Sequence, residues 1–231
     1  EEGEEELSDN SSIYSSESEE SNEDENIDCV ISKFPVQVIC IENLENTLDS
    51  MLEDEDYDIS EDEWKSILMQ VIMTLLVYQK CFHFTHNDLH TNNIMYIKTD
   101  KKFIYYKYDE KTYKVPTYGK IFKLIDFGRS IYKYKGVQMC SDSFHPKGDA
   151  ATQFNFGIYY NEKKPKIEPN YSFDLCRLAC SLYDFFIEEE DDENNILEER
   201  GEVAHLIHSW IIDDKGKNIL YKKNGEERYP D

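Results

Sequence analysis

Residues 84–94 read FTHNDLHTNNI, and residues 123–130 read KLIDFGRS. Each polar motif follows an apolar stretch. Asp88 and Asn93 sit five positions apart on a loop-like segment, while Asp126 follows a hydrophobic run and precedes Phe127 and Gly128. Glycine at that point lets the backbone turn sharply. Two oxygen donors such as Asn93 and Asp126 suit Mg2+, which takes few protein ligands and keeps its other places for water and phosphate. A further carboxylate that holds no metal, Asp88, can accept a hydroxyl proton. Together these are the parts of a phosphoryl-transfer site.

Working outward, the motifs are embedded in alternating helical and strand patterns. Ser60, with Glu63 three residues on, makes a capping box that opens EDEWKSILMQVIMTLLVYQKCF. Trp64, Ile67, Leu68, Val71, Ile72, Leu75 and Leu76 follow helical spacing, which predicts a core helix ending before the first motif. Between the motifs, residues 94–100, 102–108, 111–116 and 120–125 are rich in β-branched and aromatic residues, and KTDK and YDEK supply turns. Two or more antiparallel hairpin strands are predicted there. Residues 129–171 show no period and read as irregular. YSFDLCRLACSLYDFF (171–186) reads as a second apolar helix, EEEDDENN (188–195) as a solvated loop, and EVAHLIHSWII (202–212) as a third helix. Upstream, FPVQVICIE (34–42) reads as one buried strand and ENTLDSMLEDED (45–56) as a short helix running into an acidic loop.

The 231 residues suffice for one domain with a sizeable core, or two small ones. The formal charge is −24, and residues 1–28 carry thirteen Asp and Glu with no Lys or Arg. That acidic, serine-rich segment has almost nothing to bury and is expected to be disordered. Such charge opposes binding to nucleic acid or to an anionic membrane surface and suits basic protein partners. The six cysteines form no C-x-x-C pair, which points to reduced thiols. The run ILMQVIMTLLVY (67–78) is too short to span a bilayer.

HNDLHTNN with IDFG resembles the catalytic and metal-binding loops of the protein-kinase superfamily. The resemblance implies an α+β, protein-kinase-like fold with a mainly helical C-lobe and one or two N-lobe strands. On it, Asp88 is the catalytic base, Asn93 and Asp126 hold Mg2+, His90 lies near the transferred phosphoryl group, and ATP is the donor. QVICIENLENTLDSML resembles the last N-lobe strand, the hinge and the following helix, so Ile41 takes the gatekeeper position and Glu42 and Leu44 offer main-chain groups to adenine. His86 and Phe127 would pack beneath the site. Asp174 would brace the catalytic-loop backbone. The implied organisation is an acidic segment (1–28), the end of the N-lobe with the hinge (29–44), and a C-lobe (45–231) incomplete at its C-terminus.

The departures narrow the match. Asn87 stands where most such kinases carry arginine, and His90 where serine/threonine kinases carry lysine. D-L-H-x-x-N, the absence of A-P-E and the FDLCRL helix are similar to haspin-type kinases. The 38-residue gap between Asp88 and Asp126 and the Lys, Ile, Asn and Tyr bias resemble divergent kinases of giant DNA viruses. Such a source would place the protein inside the cell, in host cytoplasm or virion. Residues 4–118 contain no glycine, and Lys33 is the only lysine ahead of the hinge. The phosphate clamp is therefore expected before residue 1, and residues 1–231 alone are expected to transfer phosphate negligibly. A serine/threonine protein kinase acting on a protein hydroxyl, with the acidic charge favouring a basic substrate, is the leading expectation; its oligomeric state is not legible. The alternatives are a small-molecule kinase of aminoglycoside or choline type and a pseudokinase scaffold for basic partners.

Some features admit plainer readings. His83, His86, His90 and Cys81 could hold zinc but read better as loop residues. Lys133, Lys135, Lys163, Lys164 and Lys166 could meet phosphate or sit in solvent. The tyrosines of 105–118 fit either a docking hairpin or an edge kept soluble by lysines.

Overall fold

The computed structural model describes residues 33–187 and 196–222, and the chain divides into one compact unit ending at Ile41 and another starting at Glu42. The acidic segment 1–28, Cys29 and the run 188–195 lie outside the described residues. In the first unit, residues 34–41 form no strand, contrary to expectation. Phe34, Val36, Val38, Ile39 and Ile41 are 65% to 86% exposed instead of buried. Strand backbone must find hydrogen-bond partners, and among the described residues none pairs with this segment.

The second unit opens with β1 (Asn46–Thr47) and α1 (Leu48–Leu52). Thr47 caps α1, its hydroxyl accepting the Ser50 N–H at 3.1 Å. The long helix α2 runs Glu61–Phe82, and Ser60 Oγ accepts the Glu63 N–H at 3.3 Å. Only half of the expected capping box forms. The Glu63 carboxylate, nearly buried, accepts the Tyr57 hydroxyl at 2.7 Å and Lys120 Nζ at 3.1 Å instead of the Ser60 N–H. A buried carboxylate gains more from a cation than from one amide. Trp64, Ile67, Leu68, Val71 and Leu75 face the core, and Ile72 and Leu76 are half-buried.

After the first motif come β2 (Ile94–Lys98), β3 (Phe103–Tyr108), β4 (Lys111–Pro116) and β5 (Lys120–Leu124). β2 lies between β1 and β5 in one antiparallel sheet, with Tyr96 opposite both Asn46 and Phe122. β3 and β4 form a separate hairpin, closed by Asp109 and Glu110 at φ 48° and 62°. The expected irregular stretch contains one further hairpin, β6 (Tyr132–Tyr134) with β7 (Val137–Met139), turned by Lys135 and Gly136 at φ 49° and 80°. Its signal was the alternation YKYKGVQM around a Lys-Gly pair.

Helices α3 (Ser172–Phe186) and α4 (Ile196–Trp210) complete the unit; α4 breaks at Gly201, whose φ is 87°. The expected 202–212 helix is the part beyond that break. Leu48, Ile67, Leu89, Ile94, Leu178, Leu182, Ile207 and Ile211 are fully buried and join the helices, the three-stranded sheet and the first motif in one core. The architecture is α+β with small antiparallel sheets. The five described cysteines are free. Among the described residues, no helix is long and apolar enough to cross a membrane.

Candidate active site

The first motif is polar in composition yet buried. Thr85, His86, Asn87, Leu89, Thr91 and Asn93 are all less than 8% exposed. Asp174, in the first turn of α3 and fully buried, accepts the main-chain N–H groups of His86 at 2.9 Å and Asn87 at 2.8 Å. Burial pushes its carboxyl up to about 6, against the two N–H bonds that favour the ionised form. Asn87 has φ 66°, a left-handed conformation that Asn accepts more readily than most residues. Its Nδ2 donates to Thr85 O at 3.3 Å and Arg129 O at 2.8 Å, which ties the first motif to the second. Thr85 and Ile131 exchange main-chain bonds of 2.9 Å on the same seam.

His86 Nε2 donates to the carbonyl of Ile125 at 2.9 Å. A carbonyl can only accept, so this nitrogen carries the proton and Nδ1 is the free lone pair. Burial holds the imidazole below its ordinary range, only partly offset by the Ile125 bond and by the Asp88 and Asp126 carboxylates. The ring lies 5.6 Å from that of Phe127, which also meets Phe84 at 5.8 Å and Tyr78 at 6.3 Å. An apolar cavity of about 290 Å³ adjoins this aromatic stack, lined by Tyr78, Phe82, Phe84, Phe127, Ser130, Tyr132 and Tyr134.

Asn93 uses both hydrogens of its amide. Nδ2 donates to the Asp88 carbonyl at 2.9 Å and faces His90 Nε2 at 3.1 Å. His90 must therefore accept at Nε2, the neutral form, and burial followed by the nearby Arg177 cation lowers its proton affinity accordingly. With its nitrogen fixed on both sides, Asn93 presents Oδ1 as its remaining polar atom. Asp126 has φ 56°, and its Oδ1 accepts the Gly128 N–H at 3.1 Å, leaving Oδ2. A Cβ at Gly128 would stand 3.1 Å from that same oxygen, so the position has little room for a side chain.

Sequence reasoning did not single out Arg129. Its Nη1 donates to Asp88 Oδ1 at 3.3 Å and its Nη2 to Asp149 Oδ2 at 2.7 Å. Burial opposes its charge, but Asp149, Asp88 and Asp126 together raise its pKa. Asp88 and Asp126 thus both lie within electrostatic reach of Arg129 and of His86. Gln153 adds a bond from Nε2 to the Asn87 carbonyl at 2.9 Å. The position just after D-F-G was a usable signal for Arg129; nothing in the sequence flagged Asp149 or Gln153.

The remaining expected site residues come from the segment that precedes β1. Ile41 belongs to the first unit. Glu42 is exposed and pairs with Lys123 of β5, and Leu44 is half-buried. The adjoining Glu45 N–H donates to Tyr96 O at 2.9 Å, which lays the segment along β2. Among the described residues, no three His, Cys, Asp or Glu side chains converge as a metal cluster.

No family model matches the chain. Serine/threonine-protein kinase haspin of Mus musculus is 36% identical over 101 residues, 41% of this chain and 13% of that protein. A Dictyostelium discoideum protein named as a probable serine/threonine-protein kinase is 33% identical over 116 residues, 48% of this chain and 9% of that protein. A protein of Acanthamoeba polyphaga mimivirus, also named for serine/threonine kinases, is 38% identical over 74 residues, 30% of this chain and 19% of that protein. The chain is thus a distant relative of serine/threonine-protein kinases over part of its length. The matched segments span less than a fifth of each of these three relatives.

Proposed function

We propose that this chain carries the catalytic and metal-binding loops of a serine/threonine protein kinase. One observation supports it above others: Asn93 and Asp126 each have one polar atom fixed by the fold and one oxygen left over, near a second carboxylate, Asp88. An amide oxygen and a carboxylate oxygen are the hard donors Mg2+ prefers. Those two residues would hold the ion, which when bound with ATP offsets charge on the phosphates.

The chain's own residues do the rest. Asp88 would accept the proton of a serine or threonine hydroxyl as that oxygen bonds to the γ-phosphorus of ATP and the bond to the departing ADP breaks. His90, neutral and turned toward Asn93, holds the amide in orientation. Asp174 holds the backbone of His86 and Asn87 and so the stem on which Asp88 stands. Main-chain groups of Glu42 and Leu44 would meet adenine, and the net charge of −24 favours a basic protein substrate. Residues 4–118 have no glycine, so a glycine-rich phosphate loop cannot lie there, and residues 1–231 alone would be a weak enzyme.

In the full-length protein, Asp88→Ala should lower kcat by about 10²–10⁴-fold, the usual cost of a positioned base. Radiolabelled ATP with a basic serine/threonine peptide measures it. Activity within threefold of wild type would remove Asp88 from that role.

A further inference from the structure

Arg129 joins two acidic groups 61 positions apart in the chain, Asp88 and Asp149. Asn87, at the position before Asp88, cannot supply that link. It is an uncharged amide, 1% exposed, with both Nδ2 hydrogens spent on main-chain carbonyls. The cation comes instead from the other motif, and it is held at its root, because Asn87 Nδ2 binds the Arg129 carbonyl. Segment 141–150 is fastened at two further points: Gly148 N–H to His145 O at 2.7 Å and Ala150 N–H to Ser143 O at 2.9 Å. Gly148 leaves no space for a side chain, since a Cβ there would lie 2.3 Å from Ser143 O. Segment 141–150 is therefore a compact turn whose Asp149 meets a fixed cation.

We propose that Arg129 is a positioning residue for this site: one prong orients the Asp88 carboxylate, and the other clamps segment 141–150 through Asp149, so the turn is held without covalent modification. The regulatory part of this inference rests on the kinase reading; the clamp itself does not. A guanidinium presents two prongs in a fixed plane, whereas a lysine offers a single point charge, so Arg129→Lys can serve only one carboxylate well. An encoded aspartate also keeps its charge at all times, unlike a phosphorylated residue, whose charge depends on a second enzyme.

Two readouts test this. In the full-length protein, Arg129→Met should lower kcat about 10–100-fold, the range expected when a reacting group loses its orientation, with KM for ATP and peptide held within about threefold. Arg129→Lys should recover only part of kcat, and phosphatase treatment of the wild type should leave kcat unchanged. Independently of activity, trypsin should cut after the exposed Lys147 faster in Arg129→Met and in Asp149→Asn, and the double variant should be cut no faster than the quicker single one. Additive effects in the double variant, or unchanged cleavage in both singles, would overturn the clamp. A wild-type kcat abolished by phosphatase would overturn its independence from modification. If the wild type phosphorylates no acceptor, the kinase reading fails while the cleavage result still decides the clamp.

Discussion

The first motif and the β3–β4 hairpin invert what their compositions suggest. Residues 85–93 are mostly polar, yet His86 and Leu89 are wholly buried, and Thr85 and Asn87 are 1% exposed. The hairpin is rich in aromatic residues, yet Tyr105 is 64%, Phe103 39% and Tyr108 37% exposed. Polar groups can be buried when most find partners, and in the motif these are main-chain carbonyls, the Asp174 carboxylate and the second motif, while Thr85 Oγ1, His86 Nδ1 and Asn87 Oδ1 are left without one among the described residues. On the hairpin, Lys114 Nζ lies 3.9 Å from the Phe103 ring centre, so a cation covers an aromatic face that the core does not. One region spends its polarity on fixing its own backbone. The other leaves aromatic surface in solvent with lysines beside it.

The largest expected effect comes from cutting the motif's deepest anchor. At pH 7 the buried Asp174 is ionised at a cost of about 3 kcal/mol, taking the displacement from 3.8 to about 6 at 1.36 kcal/mol per unit. Asp174→Ala relieves that cost but strands two buried N–H groups, each worth about 1–3 kcal/mol. The two nearly offset each other, so thermal denaturation should show a net loss of no more than about 3 kcal/mol. Activity should not be spared. Loosening the stem of Asp88 should reduce kcat at least about 10²-fold in the full-length protein. Turnover within threefold of wild type would mean that the loop holds itself, and the contrast with the hairpin would lose its cause.

Acid should sharpen the same contrast. The folded Asp174 carboxyl sits above its ordinary 3.8, so its burial penalty is absent below about pH 4 and grows as pH rises through about 6. His86 runs the other way. Its folded value lies below 6.5, so the stability it contributes is present above that pH and is lost as pH falls. The two slopes oppose one another near pH 6, and chemical denaturation should show only a shallow dependence there. Protonated Asp174, however, loses acceptor capacity toward the His86 and Asn87 amides. kcat should therefore fall roughly tenfold between pH 7 and pH 5 with an inflection near 6, as expected for one titrating group. Asp174→Asn, which does not titrate, should lack that inflection; an unchanged profile in this variant would assign the limb elsewhere.

How far the sequence reveals this molecule depends on how local each determinant is. Helix α2 and strands β2 to β5 were legible because their periods and turns are written in consecutive residues. The spacing in HNDLHTNN and IDFG brought Asp88, Asn93 and Asp126 to notice in the same way. Burial of Thr85 and Asn87 was not legible from local pattern, because Thr85 pairs with Ile131 and Asn87 with Arg129, 42 positions beyond it, and the brace from Asp174 was implied only by the kinase resemblance. Segment 34–42 misled for the converse reason: its apolar residues satisfy a strand pattern, but a strand also needs a neighbour. The Glu63 carboxylate turned from its expected cap to Lys120, a partner 57 positions away. Asp149 had no local signal at all.

The smallest expected effect concerns the hairpin itself. Tyr105 on β3 stands opposite Lys114 on β4, and Lys107 opposite Thr112, all on the exposed side of the pair. The inward side carries Ile104 and Tyr106 with Val115, which is 5% exposed and tied to α2 through the Ser66 hydroxyl donating to the Pro116 carbonyl. Exposed substitutions that leave such anchors intact shift stability by no more than about 0.5 kcal/mol. Tyr105→Ser with Lys107→Ser should therefore leave the denaturation midpoint almost unchanged, and turnover of a short peptide should stay within about twofold because both residues are exposed to solvent. The same variant separates the two readings of these tyrosines. If the hairpin is merely an edge kept soluble, phosphorylation of an intact protein substrate will be as unaffected as that of the peptide. A fall confined to the protein substrate would make the outer face a docking surface, and its exposed aromatics would then have a function rather than only a tolerance of solvent.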